Sequence, residues 1–394
     1  MRYALRPYQQ EAADLGVAYL ENRALPGRHG IVVAPTGSGK SLVIASIVTR
    51  LHGPCIVFQP SKEILEQNLA KLASFGYRAA VFSASLGRKE VGTITLATIG
   101  SVMRHAEKFR DLPYALVDEC HLVNSRGGMY AQFLAGLPST RVLGLTATPY
   151  RLASNSFGSE LRFLTRTRPR IFRDVVHATQ IGDLFASGYL APLAYREVVG
   201  LRPDSLRPNS TGADYSDASV LSEMRAQDFS GRLEAEIRLA LAEGRRNVLV
   251  FTRFVAESER LAAAIPGCAV VTAETPAAER AHILDAFRAG RLRVVTNVGI
   301  VALGFDYPEL ECVILGRPTL SLGLYYQQVG RIVRPHPSKP VAYVVDLVGL
   351  VQKFGKVEDI VLRHEPAGPS GPKWEVCAGT RPLTNVLYES RRVW

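Results

Sequence analysis

The sequence predicts an α/β protein with two lobes, each built around a parallel β-sheet that helices flank on both faces. Three features carry this prediction. Short apolar runs alternate with amphipathic stretches in the first half, the same rhythm returns after residue 230, and a polar stretch separates the two halves. Strands that alternate with helices form parallel sheets, because each helix returns the chain to the start of the next strand.

Buried strands are predicted wherever a short apolar run is bounded by turn residues. In the first half these runs are Ile31–Ala34, Cys55–Gln59, Ala79–Phe82, Ile94–Ala97, Tyr114–Val117 and Arg141–Leu145. A helix is predicted over Ser61–Phe75, because Leu65, Leu69 and Leu72 recur at the spacing of one helical face.

The second half contains five further strand candidates. They are Asn247–Phe251, Ala269–Thr272, Arg293–Thr296, Glu311–Leu315 and Val341–Asp346. Between the halves, Pro203, Pro208 and Gly212 interrupt the pattern, which is typical of a linker or a surface excursion. We therefore predict a first lobe over residues 1–195, a linker or excursion over 196–228, a second lobe over 229–350, and a C-terminal segment over 351–394 that packs on a lobe.

Composition favours a globular protein with a polyanionic partner. The 394 residues include 47 Lys and Arg against 36 Asp and Glu, a formal net charge of +11, and 47% of them are hydrophobic. Basic charge favours nucleic acid, because bound Lys and Arg release condensed counterions. The chain has no apolar run of about 18 residues and no signal-peptide pattern, so we expect a soluble cytoplasmic protein with no membrane partner. Five scattered cysteines predict neither a zinc site nor a disulfide framework.

A glycine-rich turn follows the first predicted strand and opens a helix, the context that a phosphate-binding P-loop requires. Its residues are Ala34, Pro35, Thr36, Gly37, Ser38, Gly39, Lys40 and Ser41. The glycines let backbone N–H groups turn toward phosphate, and the helix N-terminus adds positive partial charge. We expect Lys40 to bind the β- and γ-phosphates of ATP and Ser41 to ligate Mg²⁺. Ala34 stands where the strict pattern has glycine, and a turn without a ligand is the alternative.

Two adjacent carboxylates, Asp118 and Glu119, end a later buried strand and precede Cys120 and His121. An Asp-Glu pair alone is usually a solvated turn, but beside a P-loop it predicts ATP hydrolysis. Asp118 would then hold Mg²⁺, and Glu119 would orient and deprotonate the attacking water. For His121, a coupling role and a purely structural role both stay open.

Further short motifs, in a fixed order from Leu5 to Pro335, resemble those of superfamily-2 helicases with an Asp-Glu-Cys-His box. The resemblance implies two tandem RecA-like domains and ATP-driven action on nucleic acid. Within the superfamily, the chain resembles DNA helicases of the RadD, UvsW and XPB type, and Thr146–Arg151 and Gly188–Leu193 resemble RadD-type proteins in particular. Unlike that type, this chain is expected to have no cysteine-rich zinc segment and no added C-terminal domain.

The resemblance also implies a role for each motif residue. Arg6 and Gln9 would read the adenine, and the remaining nucleotide contacts would be Pro35, Thr36, Gly37, Ser38, Gly39, Lys40, Ser41, Gly304 and Asp306. The nucleic-acid backbone would contact Pro60, Ser61, Thr98, Gly100, Ser101, Thr252, Arg253, Thr296 and Asn297. Coupling would use His121, Thr146 and Thr148, and catalysis would use Lys40, Asp118, Glu119, Gln327, Arg331 and Arg334.

The substrate is predicted to be DNA, single-stranded or branched, in repair or recombination. Cys120 and His121 in the acidic box, and Gln327 where RNA-remodelling members usually carry His, favour DNA over RNA. Three alternatives stay open: an RNA-stimulated helicase or remodeller, a loader that uses nucleotide as a switch, and a motor subunit of a larger DNA-processing assembly. The sequence does not determine the oligomeric state, and we expect a monomer.

A basic run follows the last motif of the first lobe and comprises Arg162, Arg166, Arg168, Arg170 and Arg173. It predicts either an extra DNA contact or a solvated flexible loop, and the sequence does not decide between these two interpretations.

Overall fold

A computed structural model describes residues 4–22, 24, 28–155, 158–198, 200–299, 307–365, 373–384 and 387–389. Its helices are α1 (Pro7–Glu21), α2 (Lys40–Val48), α3 (Lys62–Ser74), α4 (Ile99–Val102), α5 (Met129–Ala135), α6 (Ile181–Ala186), α7 (Asp217–Ala226), α8 (Phe229–Ala242), α9 (Val255–Ala264), α10 (Ala277–Arg288), α11 (Leu322–Val329) and α12 (Leu350–Phe354). Among these described residues, no helix combines the length and the apolar character needed to cross a bilayer.

The strands are β1 (Gly30–Val33), β2 (Cys55–Phe58), β3 (Ala80–Ser83), β4 (Arg88–Lys89), β5 (Ile94–Ala97), β6 (Tyr114–Asp118), β7 (Arg141–Thr146), β8 (Tyr150–Asn155), β9 (Gly158–Phe163), β10 (Asp174–Ala178), β11 (Leu193–Glu197), β12 (Val248–Thr252), β13 (Cys268–Thr272), β14 (Val294–Val298), β15 (Cys312–Gly316), β16 (Ala342–Asp346), β17 (Ile360–Glu365), β18 (Lys373–Ala378), β19 (Arg381–Pro382) and β20 (Leu387–Glu389). Every strand predicted from the sequence is present, within two residues at either end. The predicted α/β class with two parallel sheets is confirmed.

The chain forms two compact units, and each is made of three separate stretches of the sequence. The first consists of Met1–Arg151, Arg162–Gln180 and Leu362–Val376, and the second of Leu152–Leu161, Ile181–Val361 and Cys377–Trp394. The domain limits drawn from the sequence stay a prediction.

The first unit contains an eight-stranded sheet in the order β10-β1-β7-β6-β2-β5-β3-β4. Its pairs are parallel except for the antiparallel β3–β4 pair. The strands β1, β2 and β5 are buried along their whole length, which explains their continuous apolar sequences. The order places the carboxyl ends of β1, β7 and β6 side by side.

The second unit contains a six-stranded parallel sheet in the order β11-β16-β15-β12-β14-β13. Its central strand β12 is fully buried between β14 and β15. The edge strand β11 is half-buried and pairs with β16 from Leu193 opposite Ala342 to Glu197 opposite Asp346.

Candidate active site

Three neighbouring strands of the first sheet present the predicted phosphate-binding and acidic motifs at one edge. Val33 at the end of β1 pairs with Thr146 at the end of β7, and Leu145 of β7 pairs with Asp118 at the end of β6. The Ala34 N–H donates to the Thr146 carbonyl at 2.9 Å and so fixes the start of the P-loop. Motifs that lie far apart in the sequence therefore share one site.

The P-loop depends on glycine at two positions. Gly37 and Gly39 both adopt φ of +82°, a left-handed conformation that residues with a β-carbon rarely adopt. A β-carbon built on Gly39 would also lie 2.5 Å from Gln9 Nε2. The next helix, α2, begins at Lys40, as the sequence predicts. Ser38 is 1% exposed and its buried hydroxyl has no hydrogen-bond partner within the described residues, which suits a polar ligand at this loop.

Gln9 connects the first helix to the P-loop. Its Nε2 donates to the Ser38 carbonyl at 2.7 Å, while its Oε1 accepts from the Arg6 N–H at 2.9 Å. Tyr8, which the sequence reasoning missed, also donates its hydroxyl to the Ser38 carbonyl, at 2.8 Å. The only sequence signal for Tyr8 is its position beside Gln9. Gln9 is thus a support for the loop, and its adenine-reading role stays a prediction.

Lys40 and Glu119 form an ion pair between Nζ and Oε1. Glu119 adopts φ of +51°, outside the range usual for residues with a side chain, and this turn directs its carboxylate toward the P-loop lysine. Burial raises the pKa of Glu119, but the Lys40 ammonium and His121 outweigh it and hold the pKa well below its usual range. Burial alone would lower the pKa of Lys40, but the carboxylates of Glu119 and Asp118 outweigh burial and raise it above its usual value. Both groups are therefore charged near neutral pH.

Asp118 occupies a different environment. It is 4% exposed, and its Oδ1 accepts from the Glu119 N–H at 3.0 Å. Burial, and then repulsion from Glu119, raise its pKa. Asn68, which the sequence reasoning missed, lowers the pKa of this carboxyl in opposition to burial, and it donates to Gln59 Oε1 at 2.8 Å. A nearby cation would therefore stabilise the ionised form of this buried carboxylate. Carboxylate oxygens are ligands that Mg²⁺ prefers.

His121 connects the acidic motif to the end of β7. Its Nδ1 lies 3.0 Å from Thr146 Oγ1 and 3.3 Å from Glu119 Oε2. Thr146 Oγ1 also accepts from the Thr148 N–H at 3.0 Å. The three predicted coupling residues thus form one continuous contact chain, although their coupling role stays a prediction.

Gly144 allows the acidic turn to approach β7. A β-carbon built there would lie 2.6 Å from Cys120 Sγ and 3.0 Å from Phe172 Cε1. Neither neighbour is the end of a flexible side chain, so any larger residue would displace the turn that carries Glu119. A glycine inside a predicted strand often marks such a close approach, but the sequence reasoning used Arg141–Leu145 only as an apolar run and missed this position.

The strand-binding residues predicted for the first unit also lie at one edge. Pro60 and Ser61 follow β2, whose neighbour β5 is followed by Thr98, Gly100 and Ser101. Thr98 Oγ1 lies 2.8 Å from Ser101 Oγ, which accepts from the Ala84 N–H at 2.9 Å. Ser61 caps α3 by accepting from the Ile64 N–H at 3.4 Å. The structure thus brings these residues together, and their nucleic-acid contacts stay a prediction.

In the second unit, the predicted strand-binding residues are mostly engaged within the fold. Thr252 and Thr296 are 1% and 0% exposed, and Thr252 Oγ1 lies 2.6 Å from Ser258 Oγ. Thr296 donates its hydroxyl to the Ala269 carbonyl at 3.4 Å. Asn297 is also buried, at 8% exposed.

Arg253 makes four hydrogen-bond contacts within the second unit. Its guanidinium donates to Asp217 Oδ1 at 2.8 Å, Asp214 Oδ2 at 3.2 Å, the Tyr215 carbonyl at 2.6 Å and the Pro318 carbonyl at 3.4 Å. Three of these acceptors belong to the polar stretch that the sequence assigns to the linker or excursion. Here Arg253 acts as an anchor for that stretch.

The remaining predicted catalytic residues lie on α11 or follow it. Gln327 and Arg331 are half-buried, and Arg334 is exposed. Gln328, next to Gln327, is 0% exposed, and its side-chain amide has no hydrogen-bond partner among the described residues. The predicted nucleotide contacts Gly304 and Asp306 lie outside the residues that the structure describes.

Two family models match most of this chain. The model described as "Type III restriction enzyme, res subunit" matches residues 2–151, which contain the P-loop and the acidic motif. The model described as "Helicase conserved C-terminal domain" matches residues 231–336, which contain α11 and Arg334. The first match contains strands of the eight-stranded sheet, and the second contains strands of the six-stranded sheet.

Curated relatives extend the likeness over both units. A 51.5 kDa protein of a Lactococcus phage is 26% identical over 328 residues, covering 81% of this chain and 65% of its own length. The DNA 3'-5' helicase XPB of Kineococcus radiotolerans is 27% identical over 355 residues, covering 84% of this chain and 58% of its own length. The chain thus spans between half and two thirds of these relatives.

Solved structures show the same fold at low sequence identity. An ATP-dependent Type ISP restriction-modification enzyme, LlaBIII, solved bound to DNA, superposes with a TM-score of 0.60 at 14% identity. The match covers 88% of this chain and 28% of that enzyme. At this identity, the superposition establishes the shared tandem fold.

Proposed function

This chain belongs to superfamily 2 of the helicases, and from that membership we propose that it is an ATP-dependent DNA helicase or translocase. It hydrolyses ATP to move on DNA or to remodel it, and single-stranded and branched DNA are its candidate substrates. The observation that carries the proposal is the Lys40–Glu119 ion pair beside the P-loop, with Asp118 adjacent. The pair supports the proposal because an ammonium that can bind phosphate and a carboxylate that can act as a base are adjacent and largely shielded from solvent.

The proposed chemistry assigns a step to each of these residues. When ATP binds, its phosphate oxygens replace Glu119 as partners of the Lys40 ammonium. The released Glu119 carboxylate then accepts a hydrogen bond from the attacking water and takes its proton as the water attacks the γ-phosphorus. ADP leaves with the bridging oxygen. The low pKa of Glu119 keeps its carboxylate unprotonated at neutral pH before ATP binds, and release from the Lys40 ammonium then raises its proton affinity, as a general base requires.

Mg²⁺ fits the oxygen donors at this site, and we propose that Ser41 and Asp118 hold it. When bound, it supplies positive charge that neutralises the phosphate oxygens. Asp118 is buried and repelled by Glu119, so it gains stability from a cation partner. We propose further that Arg331 and Arg334 stabilise the charge that develops on the transferred phosphoryl group.

DNA is the proposed substrate because the curated XPB relative is named a DNA 3'-5' helicase. The motif residues Pro60, Ser61, Thr98, Gly100 and Ser101 would hold the strand through its backbone, without reading sequence. A second candidate, a motor within a larger DNA-processing assembly, is favoured by the match to a restriction-enzyme res subunit.

The test is steady-state ATP hydrolysis under five conditions: no polynucleotide, single-stranded DNA, duplex DNA, branched DNA and RNA. Glu119→Gln is the control, because it keeps the shape of the side chain and removes the base. We expect strong stimulation by DNA, and a fall of at least ~100-fold in turnover in the variant. Stimulation by RNA alone would replace the DNA proposal with an RNA remodeller. High turnover that is indifferent to every polynucleotide would refute both.

A further inference from the structure

The first unit contains a cluster of arginines that the helicase motifs do not include. Residues 162–173 contain five arginines and no acidic residue. Arg168, Arg170 and Arg173 are exposed, and none of the three has an ion-pair partner in the described part of the chain. The nearest acidic residue in sequence, Asp174, is already engaged by Tyr19 at 2.7 Å and by Arg28 at 2.9 Å.

The backbone of this arginine segment is held at both ends, by the loop after β7 and by the first sheet. At its start, the Leu164 N–H donates to the Pro149 carbonyl at 2.8 Å. At its end, Phe172 is 2% exposed and lies beside Gly144, and the Arg173 N–H donates to the His29 carbonyl at 2.8 Å. A segment held in this way loses little further backbone entropy when its side chains bind a ligand. These contacts argue against the interpretation as a flexible solvated loop.

The segment is also continuous with the predicted strand-binding loop. Arg126, in the turn after the acidic motif, donates its Nε to the Arg168 carbonyl at 3.4 Å. Three residues further along the chain, Met129 is 50% exposed and its sulfur lies 4.0 Å from a β-carbon built on Gly100. Gly100 belongs to the loop that follows β5. An exposed path therefore runs from that loop through Met129 and Arg126 to Arg168.

We propose that Arg126, Arg168 and Arg170 form an arginine surface that binds the phosphodiester backbone of DNA beyond the strand held at Gly100. Arg173 lies at the amino end of β1, the opposite edge of the sheet, and is not part of this surface. Guanidinium groups suit this role, because they are always charged and donate in pairs to phosphate oxygens. The contact would be independent of sequence and would extend the length of DNA held by the first unit. The inference rests on the proposed function, since it assumes that DNA lies at Gly100.

The test compares two triple variants with the same change in net charge. Arg126→Gln, Arg168→Gln and Arg170→Gln are combined in one protein. Arg78→Gln, Lys108→Gln and Arg110→Gln are combined in the control, because these are also exposed residues of the first unit. Binding of a duplex oligonucleotide is followed by fluorescence anisotropy from 50 to 300 mM salt. Thermal unfolding of both proteins checks that neither has lost its fold.

In the first variant, the slope of log affinity against log salt concentration should flatten by ~2–3 units, because each lost phosphate contact releases about one counterion fewer. The control should keep the wild-type slope. Equal slopes in the wild type and the first variant would overturn the arginine surface. So would an equal flattening in the control, since net charge alone would then explain the effect.

ATP hydrolysis by the same proteins separates the failure of this inference from the failure of the proposed function. The first variant should need at least ~10-fold more DNA for half-maximal stimulation, with turnover at saturating DNA within about twofold of wild type. Wild-type protein that binds DNA without stimulated hydrolysis would refute the motor, while the salt slopes would still decide the arginine surface. Wild-type protein that does not bind DNA at all would refute both.

Discussion

His121 Nδ1 lies 3.0 Å from Thr146 Oγ1, so the acidic motif and the end of β7 are in direct contact. The same imidazole lies 3.3 Å from Glu119 Oε2, and the Thr146 hydroxyl accepts from the Thr148 N–H. A shift of the loop after β7 would therefore move His121, and with it the carboxylate proposed as the general base. This contact is the physical basis for proposing that the site responds to nucleic acid.

Thr146→Val should uncouple ATP hydrolysis from DNA. The substitution keeps the shape of the side chain and removes the hydroxyl that faces His121. We expect nucleotide affinity to change little and DNA-stimulated turnover to fall ~10-fold, the size expected when a hydrogen bond near a charged group is lost. The measurement is ATP hydrolysis with and without saturating DNA. Thr95→Val, which removes another buried hydroxyl from the same sheet, is the control. Unchanged stimulation in Thr146→Val would remove this contact from the coupling mechanism.

Arg253→Gln should destabilise the second unit. Its guanidinium is 10% exposed and donates to Asp214, Asp217 and two backbone carbonyls. The Asp217 partner is 69% exposed, so that ion pair contributes little, and the cost arises mainly from the buried acceptors. We expect a loss of about 2–3 kcal/mol in the free energy of unfolding, measured with urea. A variant with wild-type stability and weakened DNA binding would instead support the strand-binding role predicted from the sequence.

Lys353 should make stability depend on pH above neutrality. Burial lowers its pKa to about 8, and its Nζ donates to the Tyr215 hydroxyl at 2.9 Å. The folded protein therefore releases this proton near pH 8, whereas the unfolded chain keeps it until about pH 10.4. Between these values the unfolded state binds more protons, so the contribution of Lys353 to stability rises with pH.

The measurement for Lys353 is urea unfolding at pH 7, 8, 9 and 10 for wild type and Lys353→Met. The difference between the two free energies of unfolding should shift in favour of wild type as pH rises from 8 to 10. Tyr215, whose pKa burial raises to about 12, does not titrate in this range. Parallel pH profiles for the two proteins would show that the lysine titrates at its ordinary pKa.

Arg334→Ala should abolish turnover while leaving nucleotide bound. An arginine that stabilises transition-state charge in phosphoryl transfer accounts for a factor of ~10³ or more. We expect a loss of that size in DNA-stimulated hydrolysis, and a loss of less than ~10-fold in the affinity for a fluorescent ATP analogue. Arg291→Ala, at another exposed arginine of the second unit, is the control. Hydrolysis by Arg334→Ala within tenfold of wild type would exclude this role.

The buried strands could be predicted from the sequence because each is apolar along its length and bounded by turn residues. Cys55–Phe58 and Val248–Thr252 show this clearly. The strands Asp174–Ala178 and Leu193–Glu197 were not predicted. Both lie at sheet edges and are half-buried, so their sequences mix polar with apolar residues and lack a continuous run.

Much of the candidate site could also be predicted, because the P-loop and the Asp118–Glu119 pair require particular residues at particular spacings. The contacts between motifs could not. Nothing in the sequence indicates that Gln9 supports Ser38, that Gly144 admits Cys120, or that Arg253 anchors the stretch around Asp214. These contacts depend on which loops the order of strands in the sheet brings together, and no local sequence pattern determines that order.

The central claim is that this chain couples ATP hydrolysis to movement on DNA, and displacement of a third strand from a duplex tests it most directly. A labelled triplex-forming oligonucleotide is bound some distance from one DNA end, and its release is followed over time. The account predicts release with ATP, none with a non-hydrolysable analogue, and none with Glu119→Gln. DNA-stimulated hydrolysis that leaves the triplex as intact as in the sample without ATP would contradict it, and would indicate a nucleotide-driven switch.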